Sequence, residues 1–146
     1  MKKIIFILSI ICLLLGLNAC KSKDKEQANS QIATLHNSMI SLDWAGTYSG
    51  VIPCADCTGI EVKITLALDH TFQMSMRYQN QKEPDYNYSG TFSWSADGGS
   101  ITLEGLDSDK YPTQYKVGEN MLIQLDMEGN VITGDLAQNY VLVKIR

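Results

Sequence analysis

The sequence predicts an all-β protein, a single small antiparallel up-and-down β-barrel of about eight strands. Apolar and polar residues alternate from residue 44 onward, which is typical of half-buried strands with one face in water. Short segments rich in Gly, Asn and Asp separate the alternating stretches and supply residues that tolerate positive φ. About 100 residues are enough for one hydrophobic core and too few for two, so we expect one domain.

The alternation is clearest in residues 60–68, 72–78 and 86–94. Shorter candidate strands are Trp44–Ile52, Ser100–Glu104, Gln114–Val117, Met121–Leu125, Val131–Leu136 and Tyr140–Ile145. The expected turns are Asp69-His70, Asp97-Gly98-Gly99, Gly118-Glu119-Asn120 and Glu128-Gly129-Asn130. No segment after residue 43 has a helical stripe. Closing the meander into a barrel buries the apolar faces and removes the exposed strand edges.

The N-terminus has the features of a secretion signal. A basic start is followed by the apolar run Ile4–Leu17, which is shorter than the about 20 residues that span a bilayer. The run ends in Leu17-Asn18-Ala19-Cys20, which resembles the bacterial lipoprotein processing box. This resemblance implies a signal peptide over residues 1–19 and a lipid on Cys20. An ordinary signal peptide and an uncleaved anchor are the alternatives.

Residues 20–43 are expected to form the lipidated end and a flexible tether, and residues 44–146 the barrel domain. Lys21 to Ser30 is polar or small throughout, so this stretch should stay solvated. Further along, apolar residues recur at helical spacing and allow a short helix that leans on the domain. Without residues 1–19 the chain has 10 basic and 16 acidic residues, a net charge near −6. Nucleic-acid binding therefore has no electrostatic support.

Cys54 and Cys57 are the candidate site, because they are the only cysteines of the predicted domain and lie in the turn Pro53-Cys54-Ala55-Asp56-Cys57-Thr58-Gly59. They can form a structural disulfide, bind a soft metal such as Cu(I), or act as a redox switch. Asp56, Met74 and Met76 are possible auxiliary ligands, although Met74 and Met76 share a stripe with core residues. Zinc is a poorer fit, because a structural zinc site needs four ligands.

Two parts of the domain resemble the NlpE N-terminal domain family, envelope lipoproteins named for copper resistance. The resemblance rests on Trp44–Gly50 with Pro53–Ile60, and on Leu125–Gly134 with Tyr140–Leu142. It implies a lipocalin-like barrel at the outer membrane, linked to copper and to envelope stress sensing. Longer family members carry a second, OB-like domain. Because this sequence ends at Arg146, we expect that domain, and any signalling that depends on it, to be missing.

We therefore expect a lipoprotein anchored in the cell envelope, at the outer membrane, through Cys20. Its expected role is copper or metal tolerance, or stress sensing, through Cys54 and Cys57, with other envelope proteins as partners. The alternative is a barrel that binds a small apolar ligand in its aromatic interior, with the cysteine pair as a disulfide only. We expect no enzymatic activity, because the sequence has neither a Ser-centred elbow nor a metalloprotease His pair.

Overall fold

The computed structural model describes residues 37–80, 82 and 84–145. The predicted signal peptide, the predicted lipid acceptor Cys20 and most of the predicted tether lie outside these residues. Within the described ranges, no helix combines the length and the apolar character needed to cross a membrane.

Eight antiparallel strands close into a barrel within the described part of the chain, and the predicted all-β up-and-down barrel is confirmed. The strands are β1 (Gly46–Ile52), β2 (Ile60–Leu66), β3 (Thr71–Tyr78), β4 (Tyr86–Trp94), β5 (Ser100–Leu103), β6 (Gln114–Gly118), β7 (Met121–Gln124) and β8 (Val141–Lys144). A one-turn helix, α1 (Ser38–Ser41), precedes β1, and a 3₁₀ turn (Ala137–Tyr140) precedes β8. Each strand pairs with its sequence neighbours, and β8 returns to pair with β1.

The two ends of the barrel differ. Since every connection joins neighbouring antiparallel strands, alternate loops emerge at opposite ends. The longer loops 53–59, 79–85, 104–113 and 125–140 share one end, which we call the mouth. The short turns 67–70, 95–99 and 119–120 share the other end with α1, and we call it the closed end.

Helix α1 covers the closed end through hydrogen bonds to the barrel. The backbone N–H of Met39 donates to the carbonyl of Gly98 over 3.1 Å. The hydroxyl of Ser38 donates to the carbonyl of Val117 over 2.8 Å. Residues 37–43, which the sequence places in the tether, therefore contact the domain.

Trp44 fills the closed end from inside. Its indole N–H donates to the carbonyl of Met39 over 3.0 Å, which ties the ring to α1. The ring also packs edge-on against Phe92 and Trp94, with centroids 5.7 and 5.5 Å away. His70 lies beside this group, 5.2 Å from the Phe92 ring. These contacts make the closed end an aromatic plug.

The interior of the barrel is packed with side chains. The largest fully buried ones are Tyr48, Tyr115, Phe72, Ile64, Leu66, Ile101, Leu103, Leu122, Leu142, Val62 and Val117. Each such burial contributes about 1.5–3 kcal/mol relative to an exposed side chain. Met74 and Met76 belong to the same core, and each is only 5% exposed.

The predicted strand Val131–Leu136 is wrong. It forms a single bridge, between Leu125 and Val131, and then leaves the sheet. Gly134 has a φ of 100°, which ends any extended conformation, and the 3₁₀ turn begins three residues later. Val131 and Leu136 are about half exposed, so their apolar alternation does not mark a buried face.

Strand β4 extends beyond β5 on the side of the mouth. β3 pairs with β4 from Tyr86 to Thr91, whereas β5 pairs with β4 only at Phe92–Trp94. Among the described residues, the mouth half of β4 therefore has a strand on one side only. Closure of the barrel was expected to remove the strand edges, and at this position it does not.

Candidate functional site

The Cys loop, residues 53–59, connects β1 to β2 at the mouth. The flanking residues Ile52 and Ile60 are register partners, so the loop starts and ends on neighbouring positions of one hairpin. Cys54 and Cys57 form a disulfide with their Cα atoms 5.3 Å apart. Both cysteines are half-buried, and the Asp56 between them is exposed. The disulfide therefore lies at the surface and outside the core.

Gly59 lets the Cys loop approach the next loop of the mouth closely. The carbonyl of Gly59 accepts a hydrogen bond from the backbone N–H of Gln79 over 2.9 Å. A Cβ at this position would lie 2.6 Å from a methyl group of Val51 in β1 and 3.3 Å from the side-chain oxygen of Gln79 in the next loop, so a larger residue would require a shift. The sulfur of Cys57 is 3.2 Å from the same carbonyl, a contact that becomes a hydrogen bond only when a thiol proton is present.

A second hydrogen bond holds the two loops together, from the side-chain amide of Asn80 to the hydroxyl of Thr58 over 2.5 Å. Asn80 adopts a positive φ of 61°, a conformation that Asn tolerates better than most residues. The two loops enclose an open depression of about 480 Å³, lined by Ala55, Asp56, Cys57, Thr58, Gln79 and Asn80. The disulfide therefore borders a depression that is open to solvent.

The metal-binding capacity of this site rests on two sulfurs. Within the described residues, no group of three or more His, Cys, Asp and Glu side chains is placed to hold a metal ion. Asp56 is adjacent in sequence and exposed, so it is free to approach a metal from solvent. Met74 and Met76 are buried inside the barrel, and His70 lies at the closed end. The structure therefore brings Cys54, Cys57 and Asp56 together and places both methionines in the core.

A cluster of four tyrosines at the mouth was not predicted as a group. Tyr78 and Tyr86 pack edge-on with ring centroids 5.8 Å apart, and Tyr88 and Tyr111 pack 5.5 Å apart. Interaction with the Tyr111 hydroxyl, followed by burial, raises the pKa of Tyr88 to about 12. Tyr86 and Tyr88 share the apolar phase of the alternating stretch 86–94, which predicts an inward-facing position, yet Tyr86 is 37% exposed. Tyr111 follows an acidic turn, and no local pattern links it to Tyr88.

A groove of about 380 Å³ crosses the outer face of β2, β3 and β4. Its lining is largely polar and uncharged, comprising Lys63, Thr65, Gln73, Met74, Ser75, Asn87, Tyr88 and Ser89. Six of these alternate with core residues along their strands and point to solvent, as the outer face of a barrel requires. Met74 of the core and Tyr88, which packs against the core, also line the groove.

Comparison with known proteins identifies relatives across the domain. Lipoprotein NlpE of Escherichia coli K12 is 33% identical over 96 residues, which are 66% of this chain and 39% of that protein. The chain thus spans well under half the length of this curated relative. A solved structure of a candidate lipoprotein from Shewanella oneidensis is 43% identical, with a TM-score of 0.67, and the match covers 75% of this chain and 95% of that one.

A second solved structure, that of the Cpx pathway activator NlpE from Escherichia coli, is 34% identical. Its TM-score is 0.49, and the match covers 62% of this chain and 46% of that one. The family model of the NlpE N-terminal domain matches residues 48–135, a span that includes both cysteines of the Cys loop. Because this match takes in more than half of the sequence, the chain belongs to the NlpE N-terminal domain family.

Proposed function

We propose that this protein is an outer-membrane lipoprotein anchored through Cys20, and that its Cys loop serves copper tolerance or envelope stress sensing. Family membership and the lipoprotein relative support the envelope location. The observation that carries the copper role is the position of Cys54 and Cys57 on an exposed loop of the mouth, beside an open depression. A purely structural disulfide has no need of such access.

The donor set fits Cu(I). Two equivalents of an external thiol reduce the disulfide to two thiols and are themselves oxidised to a disulfide, and loss of the thiol protons then gives two thiolates. Soft sulfur ligands favour Cu(I), whereas a structural zinc site needs four ligands. The described residues add no His and no third Cys to this pair. Copper bound here would serve as cargo or signal, and the residues of the Cys loop would hold it.

The Cys loop should keep its shape when the disulfide is opened. The ring spans only four residues, so its loss costs at most about 2 kcal/mol in the chain-entropy account. The hydrogen bonds from Gln79 to Gly59 and from Asn80 to Thr58 do not involve the sulfurs and remain available. Reduction therefore frees two ligands on a loop that is already positioned.

The test is a Cu(I) titration of the full chain after mild reduction, in competition with a coloured Cu(I) chelator. We expect one Cu(I) per chain, and we expect Cys54→Ser and Cys57→Ser each to abolish tight binding. Met74→Leu serves as the matched control, because Met74 lies in the core and should not change the stoichiometry. A disulfide that resists mild reductant, or uptake that survives both cysteine substitutions, would refute the copper role.

The lipid anchor has its own test. In cells fed a labelled fatty acid, the mature protein should carry the label and fractionate with the outer membrane. Cys20→Ser should lose the label and release the protein from the membrane, while Cys54→Ser should keep both. Unlabelled wild-type protein in the soluble fraction would exclude this anchoring.

The structure gives less support to a barrel that binds a small apolar ligand. Such a ligand needs a cavity inside the barrel, and this interior contains large, fully buried side chains such as Tyr48, Tyr115 and Phe72. The two depressions described above are open to solvent, and most of the residues that line them are polar. The Cys loop remains the better-supported site.

A further inference from the structure

The direction of the backbone groups of β4 follows from two hydrogen bonds. The N–H of Phe92 donates to the carbonyl of His70, next to β3, over 2.9 Å. The N–H of Glu104, at the end of β5, donates to the carbonyl of Thr91 over 2.8 Å. Because successive residues of a strand direct these groups to opposite sides, even-numbered positions of β4 face β3 and odd-numbered positions face β5.

Asn87 and Ser89 are the odd-numbered positions of β4 that lie beyond the end of β5. We call their unpaired backbone groups the β4 edge. No described residue forms a backbone hydrogen bond with either of them on this side, and both residues are exposed. The side-chain amide of Asn87 reaches back to the carbonyl of Asp85 over 3.4 Å and leaves the edge open. The β4 edge thus offers two donors and two acceptors.

The usual protection of a strand edge is absent here. Natural sheets cover their edges with a loop, or place Lys, Pro or a bulge on them. The loop after β5 approaches β4 at Gly90, where an added Cβ would lie 2.5 Å from the carbonyl oxygen of Glu104, and its Tyr111 ring packs against the ring of Tyr88. Neither contact is a backbone hydrogen bond to Asn87 or Ser89, and these two residues are small and uncharged. The edge is therefore available to another strand.

The loops around the β4 edge are acidic, whereas Lys63 of β2 lines the same groove as Asn87 and Ser89, and Arg77 of β3 interacts with Asp85. Asp85 precedes β4, and Glu104, Asp107 and Asp109 lie in the loop after β5. The one basic residue of that loop, Lys110, is paired with Asp107 over 2.9 Å. The described acidic residues of the four mouth loops are Asp56, Asp85, Glu104, Asp107, Asp109, Asp126, Glu128 and Asp135, against Lys82 and Lys110. An excess of negative charge attracts Lys and Arg side chains.

We propose that the β4 edge binds an extended, basic peptide segment of a partner protein, which adds as a short strand beside Asn87 and Ser89 and continues the line of β5. Backbone hydrogen bonds to the edge hold the segment, and the acidic loops select its basic side chains. A second copy of this chain is a poorer occupant, because two edges brought together would also bring two sets of acidic loops together.

The probe for the test is a synthetic ten-residue peptide of alternating Lys and Val, and the control is the same peptide with Glu in place of Lys. Amide hydrogen exchange of the full chain, followed by NMR, measures the protection of the Asn87 and Ser89 amides directly. In the free protein, the amides of Asn87 and Ser89 should exchange rapidly. The Lys peptide should slow both of them and bind more weakly as salt is added, whereas the Glu peptide should do neither.

Two variants separate the contribution of backbone hydrogen bonds to peptide binding from that of the acidic loops. Ser89→Pro removes one edge donor at a position where an edge strand accepts proline, and it should weaken the Lys peptide about tenfold or more. Asp109→Asn should weaken the peptide about two- to fivefold without touching the strand. Glu119→Gln is the matched control, because it removes one charge at the closed end and should leave binding unchanged. If Ser89→Pro fails to fold, the comparison of Asp109→Asn with Glu119→Gln still tests whether the acidic loop beside the β4 edge contributes to binding of the Lys peptide.

Three results would overturn the proposal. The first is equal binding of the Lys and Glu peptides, and the second is binding without protection of Asn87 and Ser89. The third is protection of both amides without peptide that grows with protein concentration, which would make a second copy the occupant. The double variant Cys54→Ser/Cys57→Ser should keep peptide binding, so failure at the β4 edge and failure at the Cys loop can be told apart.

Discussion

Tyr48 joins the wall of the barrel to the segment that closes it. Its side chain is fully buried, and its hydroxyl donates to the carbonyl of Trp44 over 2.6 Å. Trp44 in turn holds α1 through its indole N–H. Burial, with a smaller effect from the negative charge of Asp43, raises the pKa of Tyr48 to about 12. The Tyr48 side chain therefore links β1 to Trp44 and, through Trp44, to α1.

Tyr48→Phe should lower the free energy of unfolding by about 1–2 kcal/mol, because the carbonyl of Trp44 loses its donor in a buried setting. Denaturant unfolding followed by tryptophan fluorescence measures this loss. Tyr115→Phe is the matched control, since Tyr115 is also fully buried and its hydroxyl forms no hydrogen bond to a described residue. Equal losses in the two variants would show that the hydrogen bond contributes nothing.

At the scale of elements, the turns follow the chemistry of their residues. His70, Gly98, Asn120 and Gly129 have positive φ values of 63°, 64°, 56° and 84°. Each belongs to one of the four turns predicted from Asp, Asn and Gly content. Gly adopts this conformation without strain, and Asn and His are enriched there among other residues. The turns of an up-and-down barrel are thus largely local properties of the sequence.

Asn120 ends the two-residue turn between β6 and β7, and replacing it tests this local control. Asn120→Ala should destabilise the protein by about 1 kcal/mol, because Ala lacks the tolerance of Asn for a left-handed conformation. Asn120→Gly should be neutral or slightly stabilising. Glu119→Ala, one residue earlier and outside the positive-φ set, is the control and should be nearly neutral. Thermal unfolding ranks the three variants, and equal stability of the Asn120→Ala and Asn120→Gly variants would contradict the argument.

The strand predictions succeed where one face is buried and the other is wet. β2, β3 and β4 show this alternation in the sequence and form the sheet in the predicted phase. The stretch Val131–Leu136 shows similar polarity changes, but Gly134 turns the chain away after a single bridge. Alternation predicts a strand only when a neighbouring strand is present to pair with it.

Some features of the candidate site can be predicted from local sequence, whereas others arise only from the fold. Cys54 and Cys57 are three positions apart, so their spacing alone indicates a joint role. Tyr88 and Tyr111 meet only because the loop after β5 folds back over the mouth, and no local pattern can predict that contact. The β4 edge depends on the different lengths of β4 and β5, which follow from the register of the whole barrel.

For the whole molecule, we expect the free energy of unfolding to depend on pH in the alkaline range. Burial raises the pKa of Tyr48 to about 12 and also raises that of Tyr115. Interaction with the Tyr111 hydroxyl raises the pKa of Tyr88 to about 12. The unfolded chain loses these protons near pH 10, while the folded protein keeps them. The stabilisation is therefore complete below pH 10 and is lost as the pH rises from about 10 to 12.

Denaturant midpoints measured between pH 8 and 12 should stay level to about pH 10 and then fall. Each shifted tyrosine adds at most about 1.4 kcal/mol per pH unit to this fall. Tyr48→Phe should make the fall shallower, because it removes one of the phenols whose pKa is raised. A profile that is flat to pH 12 would show that the buried phenols do not govern stability.

The strands of the barrel pair over unequal lengths. β1 pairs with β2 along its whole length but with β8 only at Tyr48 and Ser49, and β4 pairs with β5 only at Phe92–Trp94. β5 and β6, and likewise β7 and β8, also pair over only three positions, so the long half-shell β1–β4 is more extensively paired than the short half-shell β5–β8. Where few bonds hold strands together, opening requires less free energy. The Cys loop and the β4 edge both belong to the long half-shell, so we expect local opening within the short half-shell to leave both sites in place.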